Sequence, residues 1–303
     1  MSAQLEKQAP SQASFRSVAR GLFNTIPPIP PSITLAGKTA LVTGSNVGLG
    51  LECCRYFLKL GASRLIMAVR SLKKGEAAAS GLRDEFPDAQ IDVWQLDLES
   101  FASVQAFAAR CEGQVDRLDV AVLNAGLGKM NFERAKEGRH RETTLQVNYL
   151  STALLAILLL PKLKPTVPSP EPGRLTIVSS DAGLGVKLAD PGEGGIIDSL
   201  DKPKGYQGFA QYAYSKLLIT MFTARLADIV DPDDVIINCC NPSATKGTGF
   251  VGSLDAGLGK TLLGLWLSLM GRTAVDAARI YVHASLVLGK ESHGSFTDCV
   301  IKA

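Results

Sequence analysis

Lys38-Thr-Ala-Leu-Val-Thr-Gly-Ser-Asn-Val-Gly-Leu-Gly50 is the stretch that decides how this chain folds. The apolar run at 40–43 ends at the first of three glycines, Gly44, Gly48 and Gly50, and a helix-forming segment at 51–59 follows. Such a pattern predicts a buried strand, a tight turn and a helix. Glycine in the turn accepts positive φ and lets an anion come where a Cβ would stand, while the N–H groups and dipole of the new helix favour negative charge. With Ser45, Asn46, Val47 and Leu49 completing the loop, residues 44–50 read as a cradle for a pyrophosphate and, through it, for a dinucleotide. The spacing is TGxxxGxG rather than GxGxxG, and in a chain with 29 glycines the loop needs support from elsewhere.

Residues 64–69 read as a second buried strand, and it ends in Arg70. In a dinucleotide-binding unit the residue about 20 positions past the glycines meets the adenosine ribose, where an acid bonds the 2′-hydroxyl and an arginine accommodates a 2′-phosphate. Arg70 stands at that distance from Gly50, no acid adjoins it, and Lys73 and Lys74 follow, so the expected cofactor is NADP(H) rather than NAD(H). The alternation continues with a helix at 73–86, a strand at 91–96 ending at Asp97 and Leu98, and a helix at 101–111. A strand at 120–123 runs into Asn124-Ala125-Gly126, and helices at 142–160, 211–229 and 274–288 alternate with strands at 174–178, 235–240 and 294–300. This order predicts the α/β class: a Rossmann-type doubly wound parallel sheet in a single domain, with ligands beyond the carboxyl ends of its strands.

At 32.1 kDa the chain can bury a large core, and no linker interrupts residues 36–303. Residues 1–35 read as an N-terminal extension: a Gln/Ser/Ala-rich start, a short apolar face at Phe15, Val18, Leu22 and Phe23, then an extended Pro27-Pro28-Ile29-Pro30-Pro31. A net charge of +3, without a basic stripe interleaved with aromatics, argues against nucleic acid as a partner. The six cysteines include the adjacent pairs Cys53-Cys54 and Cys239-Cys240, whose side chains point apart in regular structure, so reduced thiols are expected. Three histidines and no CxxC or HxxxH leave little from which to build a metal site. The apolar runs at 153–160 and 262–270 fall short of the roughly 20 residues that span a bilayer, so no transmembrane segment is expected. The first 25 residues lack the apolar core of a signal peptide, which points to a cytoplasmic protein, while Arg16, Arg20 and several serines keep a mitochondrial leader as the alternative.

The chemistry-bearing residues fall late in the alternation. Tyr212-Ala-Tyr-Ser-Lys216 places a phenol and an ammonium on one helix face. A tyrosine with its ordinary pKa near 10 is a poor base at neutral pH, and an ammonium ~5 Å away at an effective dielectric of about 20 is expected to lower it by ~2 units. Ser179 and Ser180 close the strand at 174–178, where a hydroxyl can hydrogen-bond a substrate carbonyl. Asn148 lies among apolar neighbours in the helix at 142–160, either as a hydrogen-bonded core residue or as the holder of a relay water.

Thr43-Gly44-xxx-Gly48-x-Gly50, Asp97, Asn124-Ala125-Gly126, Asn148, Ser180 and Tyr212-xxx-Lys216 occur in the order found in the short-chain dehydrogenase/reductase family. The chain resembles that family over about residues 36–250. The resemblance implies that Tyr212 is the acid/base, that Lys216 binds the ribose and lowers the tyrosine pKa, that Ser180 polarises the carbonyl and that Asn148 holds a water in a proton relay. It implies further that Asp97 meets the adenine, with Leu98 beside it, and that Asn124, Ala125 and Gly126 line the adenosine side of the cofactor. Ser180 is preferred to Ser179 because it matches the second serine of the family's Ser-Ser pair.

Two features depart from the family pattern. Ser180 and Tyr212 are 32 residues apart, so about 184–209 is expected to be an inserted loop near the site. The segment Tyr206-Gln-Gly-Phe-Ala-Gln-Tyr212 resembles the retinol-dehydrogenase-like branch, and fungal secondary-metabolite reductases have a similar layout. The family's Pro-Gly pair is Pro242-Ser243 here, followed by Thr245, Gly247 and Thr248, so Pro242, Thr245 and Thr248 are candidates for the nicotinamide end. Residues 249–272, with Leu258, Leu262, Leu265, Trp266, Leu269 and Met270 at helical spacing, read as a lid over an apolar substrate. The expected activity is an NADP(H)-dependent oxidoreductase moving hydride between nicotinamide and a carbonyl or alcohol of an apolar small molecule, in a homodimer or homotetramer. The alternatives are non-redox chemistry on the same scaffold (cyclisation, isomerisation or dehydration) and a non-catalytic nucleotide sensor.

Overall fold

Strands that are apolar on both faces must be covered on both faces, and the computed structural model shows how this chain does so. It describes residues 25–136, 141–165, 171–188, 194–246, 271–298 and 301–302. The first half alternates β1 (Thr39–Thr43), α1 (Gly48–Lys59), β2 (Arg64–Val69), α2 (Leu72–Glu85), β3 (Gln90–Gln95), α3 (Phe101–Gln114) and β4 (Val120–Leu123). The second half continues with α4 (Thr143–Leu163), β5 (Gly173–Val178), α5 (Gly195–Leu200), α6 (Gly208–Ala227), β6 (Val235–Cys240), α7 (Ala274–Val282), β7 (Phe296–Thr297) and β8 (Ile301–Lys302). The sheet order is β3-β2-β1-β4-β5-β6-β7-β8, parallel throughout except for the antiparallel β7–β8 pair. From β1 the chain builds outward to β3, and from β4 it builds the other way, so β1 and β4 flank the point where the order reverses. Open α/β sheets bind ligands at that crevice.

Period-two alternation along the strands sorts the core into two layers. Leu41, Ile66, Ala121 and Leu175 point to one face and pack with Phe107 of α3, Leu155 and Leu159 of α4 and Ile219 of α6. Ala40, Val42, Leu65, Met67 and Val122 point to the other and pack with Cys53 and Phe57 of α1, Leu82 of α2 and Ile280 and Tyr281 of α7. Side chains start several helices cleanly: Ser71 caps α2, Ser100 caps α3 and Thr273 caps α7, each accepting a backbone N–H of the first turn. Ile26 and Leu35 are buried in the second layer, while Arg279 and His283 hold the carbonyls of Ile26 and Pro27, so the described part of the extension lies against α7. Phe15, Val18, Leu22 and Phe23 lie outside the described residues.

Several boundaries differ from the sequence expectation. Helix α6 begins at Gly208 rather than near 211, and that glycine makes a close approach: a Cβ there would lie 2.3 Å from the Lys129 carbonyl oxygen. Helix α4 widens to π geometry over Gln146–Ser151, with Thr152 donating its hydroxyl to the Val147 carbonyl. The expected last strand at 294–300 is two short pieces, β7 and β8, and α7 passes into a π turn at His283–Val287. Helix α4 is long and apolar enough to cross a bilayer by length and composition, yet 61% of its most apolar stretch is buried within the protein. It is a core helix, packed on α3, β4 and β5.

One close contact yields a stability prediction. A Cβ at Gly173, where β5 starts, would lie 2.1 Å from the Leu163 carbonyl oxygen at the end of α4, and neither backbone can rotate away. Gly173→Ala is expected to destabilise the protein by ~3 kcal/mol, read as a lower urea midpoint at unchanged m-value; an unchanged midpoint would contradict this packing.

Candidate active site

The parallel register brings the carboxyl ends of β1, β2, β3, β4, β5 and β6 to one edge, and the sequence-predicted residues stand there. At the end of β1, Gly44 has φ 64° and Gly48 has φ 60°, both in the left-handed region that suits glycine. A Cβ on Gly50 would lie 2.5 Å from the Gly44 carbonyl oxygen, so only glycine lets α1 start this close to the strand. Val47 precedes α1 without capping it by a side chain, and the first turn carries no acid. Backbone N–H groups and a positive helix end are what a pyrophosphate requires. Ser45 is buried, Asn46 and Leu49 are partly exposed, and Val47 is exposed.

Asn124, at the end of β4, ties this loop to the neighbouring strand. Its Nδ2 donates to the Thr43 carbonyl at 2.8 Å and the Gly44 carbonyl at 3.3 Å, and the Thr43 hydroxyl accepts from the Ala125 N–H at 2.9 Å. Tyr281 of α7, buried, donates its hydroxyl to Asn124 Oδ1 at 3.0 Å. Asp97 accepts from the Glu99 N–H in the turn after β3, and Leu98 beside it is buried.

Arg70 corrects one sequence expectation. No acid adjoins it in the chain, but parallel pairing sets the β2 and β3 ends side by side, and Glu99 reaches its Nη1 at 2.9 Å. The arginine side chain is still 65% exposed, whereas Glu99 is 9% exposed.

The chemical group lies across β5 and α6. Ser179 donates to the Lys216 carbonyl at 3.0 Å and bonds Thr220 at 2.7 Å, so it pins the helix to the strand. Ser180 hydrogen-bonds Tyr212, and its own hydroxyl accepts from the Ala182 N–H at 3.3 Å. Lys216 is buried, donates from Nζ to the Val178 carbonyl at 2.8 Å, and lies 5.8 Å from the centre of the Tyr212 ring. Burial pushes the Tyr212 phenol up to about 12, with Asp181 adding to the rise and the Ser180 hydrogen bond opposing it. Burial pushes the Lys216 ammonium down to about 8. The shift therefore runs opposite to the expected lowering: loss of solvation dominates it, and the Lys216 ammonium is aimed at the strand carbonyl.

Asn148 sits in the π segment of α4 and turns both ends of its amide to protein groups. Oδ1 accepts from the Leu127 N–H at 2.8 Å, while Nδ2 donates to the Leu127 carbonyl at 2.7 Å and to Ser215 Oγ at 3.0 Å. Ser215 in turn donates to the Tyr212 carbonyl at 2.7 Å. A Cβ on Gly126 would stand 3.2 Å from Asn148 Oδ1 and 3.4 Å from Lys216 Nζ, which brings the β4 loop, α4 and α6 to one point. After β6, Ser243 has φ 62°, a conformation glycine takes freely, at the position of the family's Pro-Gly glycine. Pro242 precedes it half-buried, and Thr245 turns its hydroxyl back to the Ser243 carbonyl. Thr248 and nearly all of the expected lid at 249–272 lie outside the described residues.

Sequence reasoning missed Tyr281, Ser215 and Glu99. Only Ser215 carried a local signal, three residues after Tyr212 in the same run. Among the described residues, no three His, Cys, Asp or Glu side chains gather in a way that could hold a metal ion. A separate cavity at the amino ends of the strands is lined by Lys38, Arg117, Asp119, Glu171 and Arg174. Four of these charges pair, Lys38 with Glu171 and Arg117 with Asp119, while Arg174 donates to the Leu288 carbonyl.

The comparisons agree with this geometry. A sequence model described as short chain dehydrogenase matches residues 38–258. The short chain dehydrogenase opdN of Penicillium oxalicum is 44% identical over 304 residues, covering 97% of each chain. The short chain dehydrogenase virL of Hypocrea virens is 45% identical over 306 residues, covering 100% of this chain and 88% of its own. The crystal structure of a short chain dehydrogenase from Shigella flexneri complexed with NADP has a TM-score of 0.57 at 25% identity, covering 82% of this chain and 95% of that one. The glycine loop, the strand order and relatives matched over nearly their full length leave one assignment: this chain belongs to the short-chain dehydrogenase/reductase family, oxidoreductases that use a nicotinamide cofactor.

Proposed function

We propose that this protein is an NADP(H)-dependent oxidoreductase acting on a carbonyl/alcohol pair of an apolar small molecule. The observation that carries the reading is the joining of Ser180, Tyr212 and Lys216 at the carboxyl ends of the strands, on the same edge as the glycine loop. The loop at 44–50 would hold the pyrophosphate; Asp97, Leu98, Asn124, Ala125 and Gly126 the adenosine side; Lys216 the ribose; and Pro242, Thr245 and Thr248 the nicotinamide end. When bound, the cofactor supplies the hydride exchanged with the carbonyl carbon. With its phenol raised to about 12, Tyr212 keeps its proton at neutral pH, which suits giving that proton to the carbonyl oxygen during reduction. Ser180 presents a second hydroxyl to the same oxygen. Asn148 contributes position, holding the Leu127 backbone against Ser215, and a relay water is assigned to its neighbourhood.

Arg70, exposed on one side and anchored by Glu99 on the other, supports recognition of a 2′-phosphate, with Lys73 and Lys74 beside it. The NADP complex of the Shigella relative points the same way. The fungal sources of the two curated relatives support a place in secondary metabolism. Ile157 of α4 and Met221 of α6, each 48% exposed on neighbouring helices, support a homodimer or homotetramer. An extension at 1–35, an insert at 184–209, a lid at 249–272 and a cytoplasmic location complete this reading.

Three measurements test it. Tyr212→Phe is expected to abolish oxidation of NADPH by lipophilic ketones while NADPH still binds; undiminished turnover would refute the assignment. Arg70→Ala should weaken NADPH binding by roughly tenfold, the loss of one charge-assisted hydrogen-bonding partner, and leave NADH binding nearly unchanged; tighter binding of NADH than NADPH by the native protein would end the NADP(H) reading. The third test is pH. Lys216 has its folded pKa lowered from 10.5 to about 8, so the unfolded chain holds more protons between these values and stability rises with pH across that window. Activity moves oppositely, because the ammonium is lost: kcat/KM should fall as pH rises through about 8, and Lys216→Arg, which stays charged, should lack that limb.

A further inference from the structure

Glu142 is fully buried immediately before α4, and each of its carboxylate oxygens receives two hydrogen bonds. Oε1 accepts from the Thr144 N–H at 2.9 Å and the Tyr206 hydroxyl at 3.1 Å, and Oε2 accepts from the Leu145 N–H at 2.9 Å and Gln211 Nε2 at 2.8 Å. The carboxylate thus joins three separate pieces of chain: the start of the helix that carries Asn148, the segment after α5, and the residue directly preceding Tyr212. A helix start alone needs only a small exposed cap such as Ser or Thr. Burying a carboxylate is costly unless its acceptors are fully used, and here they are used to fix geometry.

The backbone of the same residue adds a second tie. The Glu142 N–H donates to Asp201 Oδ1 at 2.8 Å, and Asp201 is held by Arg134 and Arg141. Gln211 Nε2 also reaches the Leu200 carbonyl at 3.2 Å. The single Tyr206 hydroxyl proton is shared between Glu142 Oε1 and the Lys129 carbonyl, the latter at 2.9 Å, and the ring stacks edge-on against Phe132. Residues 194–206 are therefore clamped between the loop after β4 and the first turn of α6.

We propose that Glu142 is a positioning residue: its buried carboxylate sets the first turn of α6, and with it the Tyr212 hydroxyl, and makes that setting depend on docking of the 194–206 segment. The proposal rests on the reading of Tyr212 as the proton donor. A networked carboxylate with every contact satisfied is rigid, and the Tyr212 hydroxyl must keep its place beside Ser180 for both to meet one oxygen. A displacement near 1 Å at a reacting group costs up to about 100-fold in rate.

Glu142→Gln, Gln211→Leu and Tyr206→Phe remove different arms of the joint. Glu142→Gln forces an amide N–H₂ against a backbone N–H; Gln211→Leu severs the tie beside Tyr212 together with the bond to the Leu200 carbonyl; Tyr206→Phe removes the hydroxyl that ties the 194–206 segment to Glu142 and to the Lys129 carbonyl. With NADPH and phenanthrenequinone as the carbonyl probe, each is expected to lower kcat by about tenfold while the dissociation constant of NADPH stays within about twofold of native. In parallel, amide hydrogen exchange of the protein without cofactor is expected to accelerate together in 194–206 and 208–214, and not in 44–50. If Gln211→Leu and Tyr206→Phe fold and show native exchange across both segments, or weaken NADPH binding as much as turnover, the proposal is overturned. Tyr212→Phe separates the two claims: full activity in that variant removes the catalytic reading itself, whereas an inactive Tyr212→Phe beside a fully active Gln211→Leu removes only the role of Glu142.

Discussion

The site hangs on the hydrogen bond from Lys216 Nζ to the carbonyl of Val178, the last residue of β5. An ammonium taken out of water must find acceptors, and this one finds a strand end that the sheet has already fixed. The bond holds α6 across the end of β5, and Ser179 reinforces it by bonding the Lys216 carbonyl from the strand side. Tyr212, one turn earlier, is thereby set beside Ser180, one residue beyond Ser179. Burial that fixes the geometry also tunes the groups: the amine moves down to about 8 and the phenol up to about 12. A phenol that retains its proton and an amine poised near neutrality form a pair suited to delivering a proton to an oxygen.

The nucleotide-binding half obeys a different constraint, the close approach of backbone to backbone. Gly50 allows α1 to begin against the Gly44 carbonyl, and Asn124 closes the gap from β4 by donating to two carbonyls of the loop. Tyr281 then fixes Asn124 from α7, whose Arg279 holds the Ile26 carbonyl while His283 in the following turn meets that of Pro27. The phosphate cradle is thus braced from β4 and from the far end of the chain. Bracing of this kind keeps N–H groups aimed before any ligand arrives, so little reorganisation is needed on binding.

Between the two halves, polar residues that look unremarkable in the chain act as joints. Asn148 links the loop after β4 to Ser215, and Ser215 passes the contact to the Tyr212 carbonyl. Glu142 does the same for the start of α4, the segment after α5 and the start of α6. The π widening of α4 over Gln146–Ser151 falls between these joints, where regular helix geometry yields to the demands of Asn148 and Thr152.

Much of this was legible in the chain itself. Uninterrupted apolar strands fix a sheet covered on both faces, and the offsets of Gly44, Gly48 and Gly50 or of Tyr212 and Lys216 are local geometry that survives in any context: a turn, or one face of a helix. The start of α6 at Gly208 was not legible, because the 2.3 Å approach of that glycine to Lys129 is set by a segment 79 residues away. Only the tertiary structure could set Glu99 against Arg70, Tyr281 against Asn124 and Glu142 against Gln211, because each pair lies on separate elements brought together by the sheet order. It also reversed the sign of the Tyr212 shift. Spacing along a helix gives the distance to a charge, but the loss of water that raises the phenol exists only once the surrounding elements have packed.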